Sequence, residues 1–157
     1  MYAVRARTRK RARERKDRSF HDFLHGAPYG RLPGMSEVTV RRATAGDVEA
    51  LAEDAPHTAL LDDERVTFLV AEQDERVVGF VFGYLLPRRH GTATEMFVYE
   101  LEVDEPYRRQ GIATRLMRAL VEGCEEAFVL TEPDNDAANA LYESLGGKRS
   151  DAVMWEW

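Results

Sequence analysis

Three long runs of β-branched and aromatic residues lie close together in the middle of the sequence, at residues 67–71, 77–86 and 95–103. The first two runs are separated by a short polar segment containing QDER, which is typical of a hairpin turn. Short connections of this kind place consecutive strands side by side in antiparallel order. The sequence therefore predicts an antiparallel meander at the centre of the fold and excludes a doubly wound parallel sheet.

Shorter elements precede and follow the meander. Residues 38–42 have the pattern of a short strand, and Thr44 with Asp47 offers cap chemistry for a helix that carries Val48 and Leu51. The later pattern predicts a helix at 112–120, a strand at 128–130, a helix at 135–145 and a terminal strand at 152–157. The predicted fold class is α/β in the mixed α+β sense, with a central mixed, twisted sheet of about six to seven strands flanked by helices on both faces.

Charge divides the chain into two parts. Residues 1–34 contain ten Lys and Arg against three Asp and Glu, whereas residues 35–157 contain twelve against twenty-five. Residues 1–18 have no apolar periodicity, and the Gly/Pro-rich segment at 25–34 follows them, so we expect a disordered basic arm at 1–34 and a folded domain at 35–157. The arm is either an anion-binding tail or an upstream extension. An acidic domain repels phosphates, so nucleic acid is an unlikely partner.

No run approaches the roughly 18 apolar residues of a membrane helix, and the arginines of residues 1–34 are not followed by the apolar stretch of a signal peptide. We expect a cytoplasmic protein with no membrane partner. The single cysteine, Cys124, lacks a neighbouring cysteine or histidine, and His57 and His90 have no paired ligand at metal spacing. The sequence predicts no metal site.

The segment from Arg108 onward predicts a helix that begins without a capping serine or aspartate. The first N–H groups of a helix lack internal partners and carry partial positive charge, so an anion can cap them. Gly111 permits close approach of a ligand, Ala113 leaves room, and Arg108 and Arg109 add positive charge. The pattern favours a diphosphate cradle, although an exposed helix start decorated with arginines would also explain it.

Two motifs carry a family resemblance. Arg108, Gly111 and Ala113 occupy the defining positions of Gln/Arg-x-x-Gly-x-Gly/Ala, directly after a strand, and residues 135–146 are similar to N-x-x-A-x-x-L-Y-E-x-x-G. Both resemble the GNAT N-acetyltransferase superfamily, over residues 38–157, and imply the GNAT fold. Residues 77–79, 84–87 and 98–114 resemble, more closely, the aminoglycoside 3-N-acetyltransferases of type I.

The resemblance implies an enzyme that uses acetyl-CoA as co-substrate and no metal. Its pyrophosphate would lie on the helix start, its pantetheine arm would follow the strand before it, and Asn135 would hold the arm or start the second helix. The implied cofactor-binding residues are Leu101, Val103, Arg108, Arg109, Gln110, Gly111, Ile112, Ala113, Thr114 and Asn135.

The resemblance also implies catalytic groups. An ammonium has no lone pair, so a base must deprotonate the acceptor before it attacks the thioester. The period of two places Val98, Glu100 and Glu102 on one face of their strand, and Glu100, nearer the strand centre, is the preferred base, with Glu102 as the alternative. Both glutamates could instead only attract a cationic substrate. Tyr142 corresponds to the family's general acid, and its other interpretation is core packing.

Residues for acceptor binding are less recognisable. Glu100, Asp134 and Asp136 would suit a small-molecule amine, together with the loops at 54–64 and 87–94. Most charges in this set are negative, although the loop at 87–94 carries Arg88, Arg89 and His90 instead. An aminoglycoside is the first candidate, and a polyamine, a small metabolite or a protein amine is the alternative. An acyl-CoA sensor, or a nucleic-acid binder using the arm, is the alternative of another class. The aromatic terminal strand would allow a homodimer.

Overall fold

The computed structural model describes residues 37–52, 56–89, 94–153 and 155. The predicted basic arm lies outside these residues, as do parts of the loops at 54–64 and 87–94 and of the terminal segment. The strands are β1 (Thr39–Arg42), β2 (Val66–Gln73), β3 (Arg76–Pro87), β4 (Thr94–Val103) and β5 (Glu126–Val129). The α-helices are α1 (Ala45–Leu51), α2 (Ile112–Val121) and α3 (Asp136–Ser144), and two 3₁₀ helices occupy Thr58–Asp62 and Glu105–Tyr107.

The five strands form one mixed sheet in the order β1-β2-β3-β4-β5. The first four pair antiparallel and β5 pairs parallel to β4. The predicted hairpin is present, because Asp74 and Glu75 both take the positive φ angles of a two-residue turn whose twist matches the flanking strands. Within the described residues, no helix is long and apolar enough to span a membrane.

The sheet has five strands in the described part of the chain, fewer than the six to seven expected. The difference lies in the terminal segment, where Ala152, Val153 and Trp155 are not in a strand. Val153 and Trp155 are 75% and 77% exposed, so neither side chain buries the apolar surface that would hold a strand against the sheet.

Helix α2 covers one face of the sheet, called the α2 face below. Its apolar side chains recur every three to four residues, which places them in one stripe against the strands. Helix α3 adds partly buried side chains to the same cluster. Members of this core include Leu69, Val81, Val98, Ile112, Leu116 and Leu120, with Leu141, Tyr142 and Leu145 packed against them.

Helix α1 lies on the opposite face, called the α1 face below, where Val48 packs among aromatic side chains. Its buried partners are Phe68, Val70, Phe80 and Phe82. The sheet is therefore covered by helices on both faces, as predicted. Because both faces of the sheet are buried, β2 and β3 are apolar along most of their length and do not alternate strictly between apolar and polar residues.

Strand β4 carries one extra residue relative to β3. Gly83 lies opposite Val98, and the next pair along the strands is Phe82 with Glu100. Tyr99 lies between these two pairs and is a β-bulge residue, which shifts the alternation of side chains by one position. From Glu100 onward, even-numbered residues of β4 therefore face α1, whereas Val98 faces α2.

Glycines on β3 allow the close approach of β4 on both sides of this bulge. A Cβ atom at Gly83 would lie 2.5 Å from the carbonyl oxygen of Phe97 and 2.9 Å from the Sδ atom of Met96. One at Gly79 would lie 2.7 Å from the carbonyl oxygen of Glu102. None of these distances accommodates a side chain, so the two glycines fix where β4 runs past β3.

Strands β4 and β5 separate before β4 ends. Their last pair is Val98 with Val129, after which β4 continues through residues 101–103 while β5 stops. In the described part of the chain, that last stretch of β4 pairs with β3 on one side and with no strand on the other. The sheet consequently forks immediately beside the bulge at Tyr99.

The start of α1 is held by a network around Asp47. Thr44 and Asp47 form a capping box, and the Asp47 carboxylate also accepts two hydrogen bonds from the Arg41 guanidinium, at 2.7 and 3.0 Å. Glu72 binds the same guanidinium. These contacts, of which the hydrogen bonds from Arg41 matter most, hold the pKa of the Asp47 carboxyl well below its usual range.

Asp47→Asn is expected to lower the free energy of unfolding by about 2 kcal/mol at pH 7, because it weakens a cap and removes a charged hydrogen-bond acceptor. A depressed pKa means that the carboxylate stabilises the fold above about pH 4 and that this contribution is lost as the pH falls further. Urea unfolding at pH 7 and pH 3 should therefore show the gap between wild type and variant narrowing at pH 3. Asp63→Asn, which breaks an exposed pair with Arg65, should have a much smaller effect.

Candidate functional site

A cleft of about 630 Å³ opens where β4, the start of α2 and the helix α3 meet. It lies on the α2 face, beside the fork in the sheet. Its lining brings together eleven of the fifteen residues that the sequence predicts for the site. These are Leu101, Glu102, Val103, Arg108, Arg109, Gly111, Ile112, Ala113, Thr114, Asn135 and Tyr142.

The start of α2 is an uncapped helix end. Gly111 is the N-cap residue with φ of 78°, and no side chain makes a cap hydrogen bond there. A Cβ atom on Gly111 would meet nothing within 4 Å, so the space above the first turn is clear. Arg109 also has a positive φ, of 64°. Left-handed residues just before a helix turn successive N–H groups toward one side, an arrangement that suits an anion.

The two arginines before α2 differ in their contacts with the rest of the chain. Arg108 donates from Nε to the carbonyl oxygen of Val103 at 2.8 Å, which ties the approach to α2 to the end of β4. The bond also occupies a carbonyl that an extended ligand along β4 would otherwise use. Arg109 is exposed at the cleft. Gln110 lies outside the cleft lining, and its side chain donates to the Pro106 carbonyl at 3.2 Å.

Helix α3 places Tyr142 against the wall of the cleft. Asn135 caps this helix by accepting a hydrogen bond from the Ala138 N–H at 3.1 Å, which supports its interpretation as a helix start. At the other end, the Gly147 N–H donates to the Tyr142 carbonyl at 2.9 Å. Hydrogen bonds thus hold both ends of α3, and with them the backbone that carries Tyr142.

Tyr142 is half-buried and packs on the core below the cleft. Its hydroxyl has no hydrogen-bond partner within the described part of the chain. Burial raises the pKa of the Tyr142 phenol above its ordinary value, because the anion would lose hydration. The phenol therefore stays protonated at neutral pH, with a proton to donate into the cleft.

The predicted placement of the two glutamates is wrong in one respect. Glu100 and Glu102 do share a face, but Val98 lies on the opposite face, because the bulge at Tyr99 shifts the alternation. Register pairs Glu100 with Phe82 and Glu102 with Phe80, which places both carboxylates on the α1 face. Glu102 belongs to the cleft lining, whereas Glu100 does not.

The remaining predicted residues, Asp134 and Asp136, are exposed at the start of α3 and outside the cleft lining. Sequence reasoning missed several lining residues. They are Tyr107, Ala137, Ala138, Ala140, Leu141 and Ser144. The three alanines carried a usable signal, since small side chains in the first turns of a helix leave room for a ligand against its backbone.

The fold and the cleft together define a mixed α/β protein with an uncapped helix start beside a forked sheet. Residues 36–147 match the profile of the Acetyltransferase (GNAT) family. The chain belongs to this family, and the predicted family and fold class are confirmed.

Relatives extend this assignment. The L-2,4-diaminobutyric acid acetyltransferase of Marinococcus halophilus is 36% identical over 92 residues, which cover 55% of this chain and 52% of that protein. The protein of the same name from Nocardia farcinica is 30% identical over 126 residues, covering 76% of this chain and 64% of the relative. The chain spans about half the length of the first of these relatives and less than two thirds of the second.

Solved structures show the same fold. An aminoglycoside acetyltransferase, HMB0005, from an uncultured soil metagenomic sample matches with a TM-score of 0.67 at 24% identity, over 77% of this chain and 97% of that one. The aminoglycoside N-acetyltransferase AAC(6')-Iy in complex with CoA matches with a TM-score of 0.67 at 20% identity, over 80% and 97%. At such identities the likeness shows the fold alone.

Proposed function

We propose that this protein is an acetyl-CoA-dependent N-acetyltransferase that acts on a small-molecule amine. The observation that carries the proposal is the shared cleft, in which the uncapped start of α2 at Gly111 and the protonated phenol of Tyr142 line one space. Family membership supports the reaction class, and the relatives named above are acetyltransferases.

The residues of the cleft fit acetyl-CoA. Its diphosphate suits the N–H groups of Ile112, Ala113 and Thr114, because these groups have no capping side chain and the space over Gly111 is clear. Arg109 adds positive charge at the same entrance. The thioester supplies an activated acetyl group, and the wall formed by Leu101 and Val103 leads from the helix start toward the fork.

The chemistry divides between the two sides of the fork. On the α1 face, Glu100 is the proposed base that removes a proton from the acceptor ammonium, with Glu102 as the alternative. The freed nitrogen lone pair forms a bond to the acetyl carbon, and the nitrogen loses its second proton to solvent as the carbon–sulfur bond breaks. On the α2 face, Tyr142 is the proposed acid that gives its proton to the departing thiolate, and the phenolate left behind takes a proton back from solvent. Its raised pKa keeps that proton available at neutral pH.

The first acceptor to test is an aminoglycoside acetylated at a 3-amino group, the subtype that the sequence motifs resemble. The aminoglycoside candidate rests on those motifs, since the solved structures named as aminoglycoside acetyltransferases share only the fold. Relatives named for L-2,4-diaminobutyric acid support a second candidate, a small diamine metabolite. A polyamine is a third, since it shares the paired ammonium groups of both.

The test is release of CoA thiol by the full chain with acetyl-CoA and, in turn, gentamicin, kanamycin, spermidine and L-2,4-diaminobutyrate. We expect turnover that depends on both acetyl-CoA and an amine, with a mass increase of one acetyl group on the acceptor. Mass spectrometry of the gentamicin product would locate the modified nitrogen. Binding of acetyl-CoA without turnover on any amine would contradict the proposed reaction.

A further inference from the structure

The last carbonyl of β4 faces the side where β4 and β5 have separated. The peptide unit between Val103 and Asp104 donates its N–H to the Val78 carbonyl of β3, at 3.0 Å. The N–H and the carbonyl of a trans peptide unit point in opposite directions, so the Val103 carbonyl points away from β3. It therefore lies on the strand edge that lines the cleft, beyond the last β4–β5 pair.

The Arg108 side chain binds this carbonyl through one particular nitrogen. Its Nε atom, which is bonded to Cδ, donates to the Val103 carbonyl oxygen at 2.8 Å. Val103 is only 8% exposed, and the hydrogen bond is partly shielded from water. Hydrogen bonds with a charged donor contribute more to stability than exposed ion pairs do.

The segment at 104–111, between β4 and α2, also has hydrogen bonds of its own. The Tyr107 N–H donates to the Asp104 carbonyl at 2.8 Å, which shapes a turn within the segment. The bond from the Arg108 side chain instead joins the segment to β4. It therefore controls the distance between the strand edge and the N-cap residue Gly111.

Acetyl-CoA would use the strand edge and the helix start at once. In the proposed complex its diphosphate lies on the N–H groups at the start of α2, and its pantetheine arm follows the edge of β4. One covalent chain links the two, so the distance between the helix start and the strand edge must suit that chain. A site whose parts are held at the right distance before binding loses less conformational freedom and binds more tightly.

Positive charge at the cleft has another source in Arg109. This residue is exposed and lines the cleft beside the helix start. The Val103 carbonyl requires only a donor, and the neutral N–H of a side-chain amide can serve as well as a guanidinium. The two neighbouring arginines can therefore be separated by chemistry, one by its N–H group and the other by its charge.

We infer that Arg108 is a positioning residue for acetyl-CoA, which acts through its Nε donor and not through its charge. The inference rests on the proposed function and divides the work of binding the cofactor. Arg108 holds the helix start at β4, and Arg109 supplies charge for the diphosphate. A residue that acts by charge is replaceable by lysine, whereas a positioning donor is replaceable by a side chain with an N–H at the same place.

The test compares Arg108→Gln with Arg108→Met in the full chain. Glutamine has a nitrogen, Nε2, at the same number of bonds from the backbone as the arginine Nε, whereas methionine has a methyl group there. Both replacements remove the charge, so they differ mainly in the donor. Isothermal titration calorimetry would measure the Kd of acetyl-CoA. We expect Arg108→Gln to bind within about threefold of wild type, and Arg108→Met to bind about tenfold more weakly than Arg108→Gln.

Arg115→Met is the matched control. Arg115 also ties α2 to a backbone carbonyl, since its Nη1 atom donates to the Val38 carbonyl at 3.1 Å, but it lies outside the cleft lining. This variant loses the same charge and a bond of the same kind, and its Kd should stay within about threefold of wild type. Arg109→Gln should weaken binding at low salt and have less effect at high salt, because salt screens exposed charges.

Three results would overturn the inference. They are equal acetyl-CoA affinity in the glutamine and methionine variants, wild-type affinity in Arg108→Lys with both neutral variants weak, and a loss in Arg115→Met as large as in Arg108→Met. A failure of the proposed function is separate, because it appears in the wild type, as no binding of acetyl-CoA or as binding without turnover. Arg108 is exposed, so each variant should fold, and thermal unfolding checks this.

Discussion

Gly111→Asp is expected to weaken acetyl-CoA binding by about 100-fold or more. The added carboxylate would stand at the uncapped start of α2 and occupy the N–H groups proposed for the diphosphate, which it would also repel. Aspartate tolerates a φ of 78° better than most residues, and a Cβ atom at this position meets nothing within 4 Å. The fold should therefore persist while the cofactor affinity, measured by calorimetry, is lost.

Gly123→Asp is the matched control for this variant. Gly123 also has a φ of 78° and clear space around it, but it follows the other end of α2. The same side chain, charge and backbone strain are thus introduced away from the cleft. Acetyl-CoA affinity that survives in Gly111→Asp, or falls equally in both variants, would place the diphosphate elsewhere.

Tyr142→Phe is expected to lower kcat by about 100-fold while leaving the Kd of acetyl-CoA within about threefold. Removing the hydroxyl takes away the proton offered to the thiolate and keeps the ring that packs on the core. Steady-state kinetics with the acceptor found above would measure kcat. Tyr107→Phe removes a hydroxyl from another tyrosine that lines the cleft and should change kcat far less.

The pH dependence of activity is a second test of the role proposed for Tyr142. A general acid works while protonated, so the alkaline limb of the activity profile should follow the pKa of the phenol, while the proposed glutamate base would govern the acidic limb. Burial raises that pKa, which places the alkaline decline above about pH 10. An unchanged kcat in Tyr142→Phe, at every pH, would return this residue to a packing role.

The sequence pattern was sufficient for most of the fold. Apolar runs of the right length predicted β2, β3 and β4, and the capping box of Thr44 and Asp47 predicted where α1 begins. These signals are local, since each element carries its own period and its own end. The number of strands was predicted less well. A terminal segment forms a strand only where an edge strand of the sheet can pair with it, and the sequence pattern of the segment does not show whether such a partner exists.

The bulge could not be predicted from the pattern. A strict period of two joined Val98 to the glutamates, and one extra residue at Tyr99 moved them to opposite faces. Gly83 lets β4 pass close to β3, which helps to fix the position of the bulge. This close approach depends on how the two strands pair. Glycines in a strand were visible in the sequence, but their consequence for β4 required the register.

Predicted residues line the cleft where a motif marks them, as for Gly111 and Tyr142. Contacts that depend on packing were not predicted. The bond from Arg108 to the Val103 carbonyl is one of them, because it joins two segments through a side chain. The alanines of α3 were passed over because small residues are usually interpreted as helix formers rather than as space for a ligand.

The fork between β4 and β5 has a kinetic consequence. In the proposed arrangement, acetyl-CoA on the α2 face and the acceptor amine on the α1 face would reach the gap from opposite sides, so neither would block the entry or departure of the other. Both would be present at once, and the acetyl group would pass directly between them without a covalent intermediate on the protein. Double-reciprocal plots against either substrate should then intersect, whereas the parallel lines of a ping-pong mechanism would require a covalently acetylated protein.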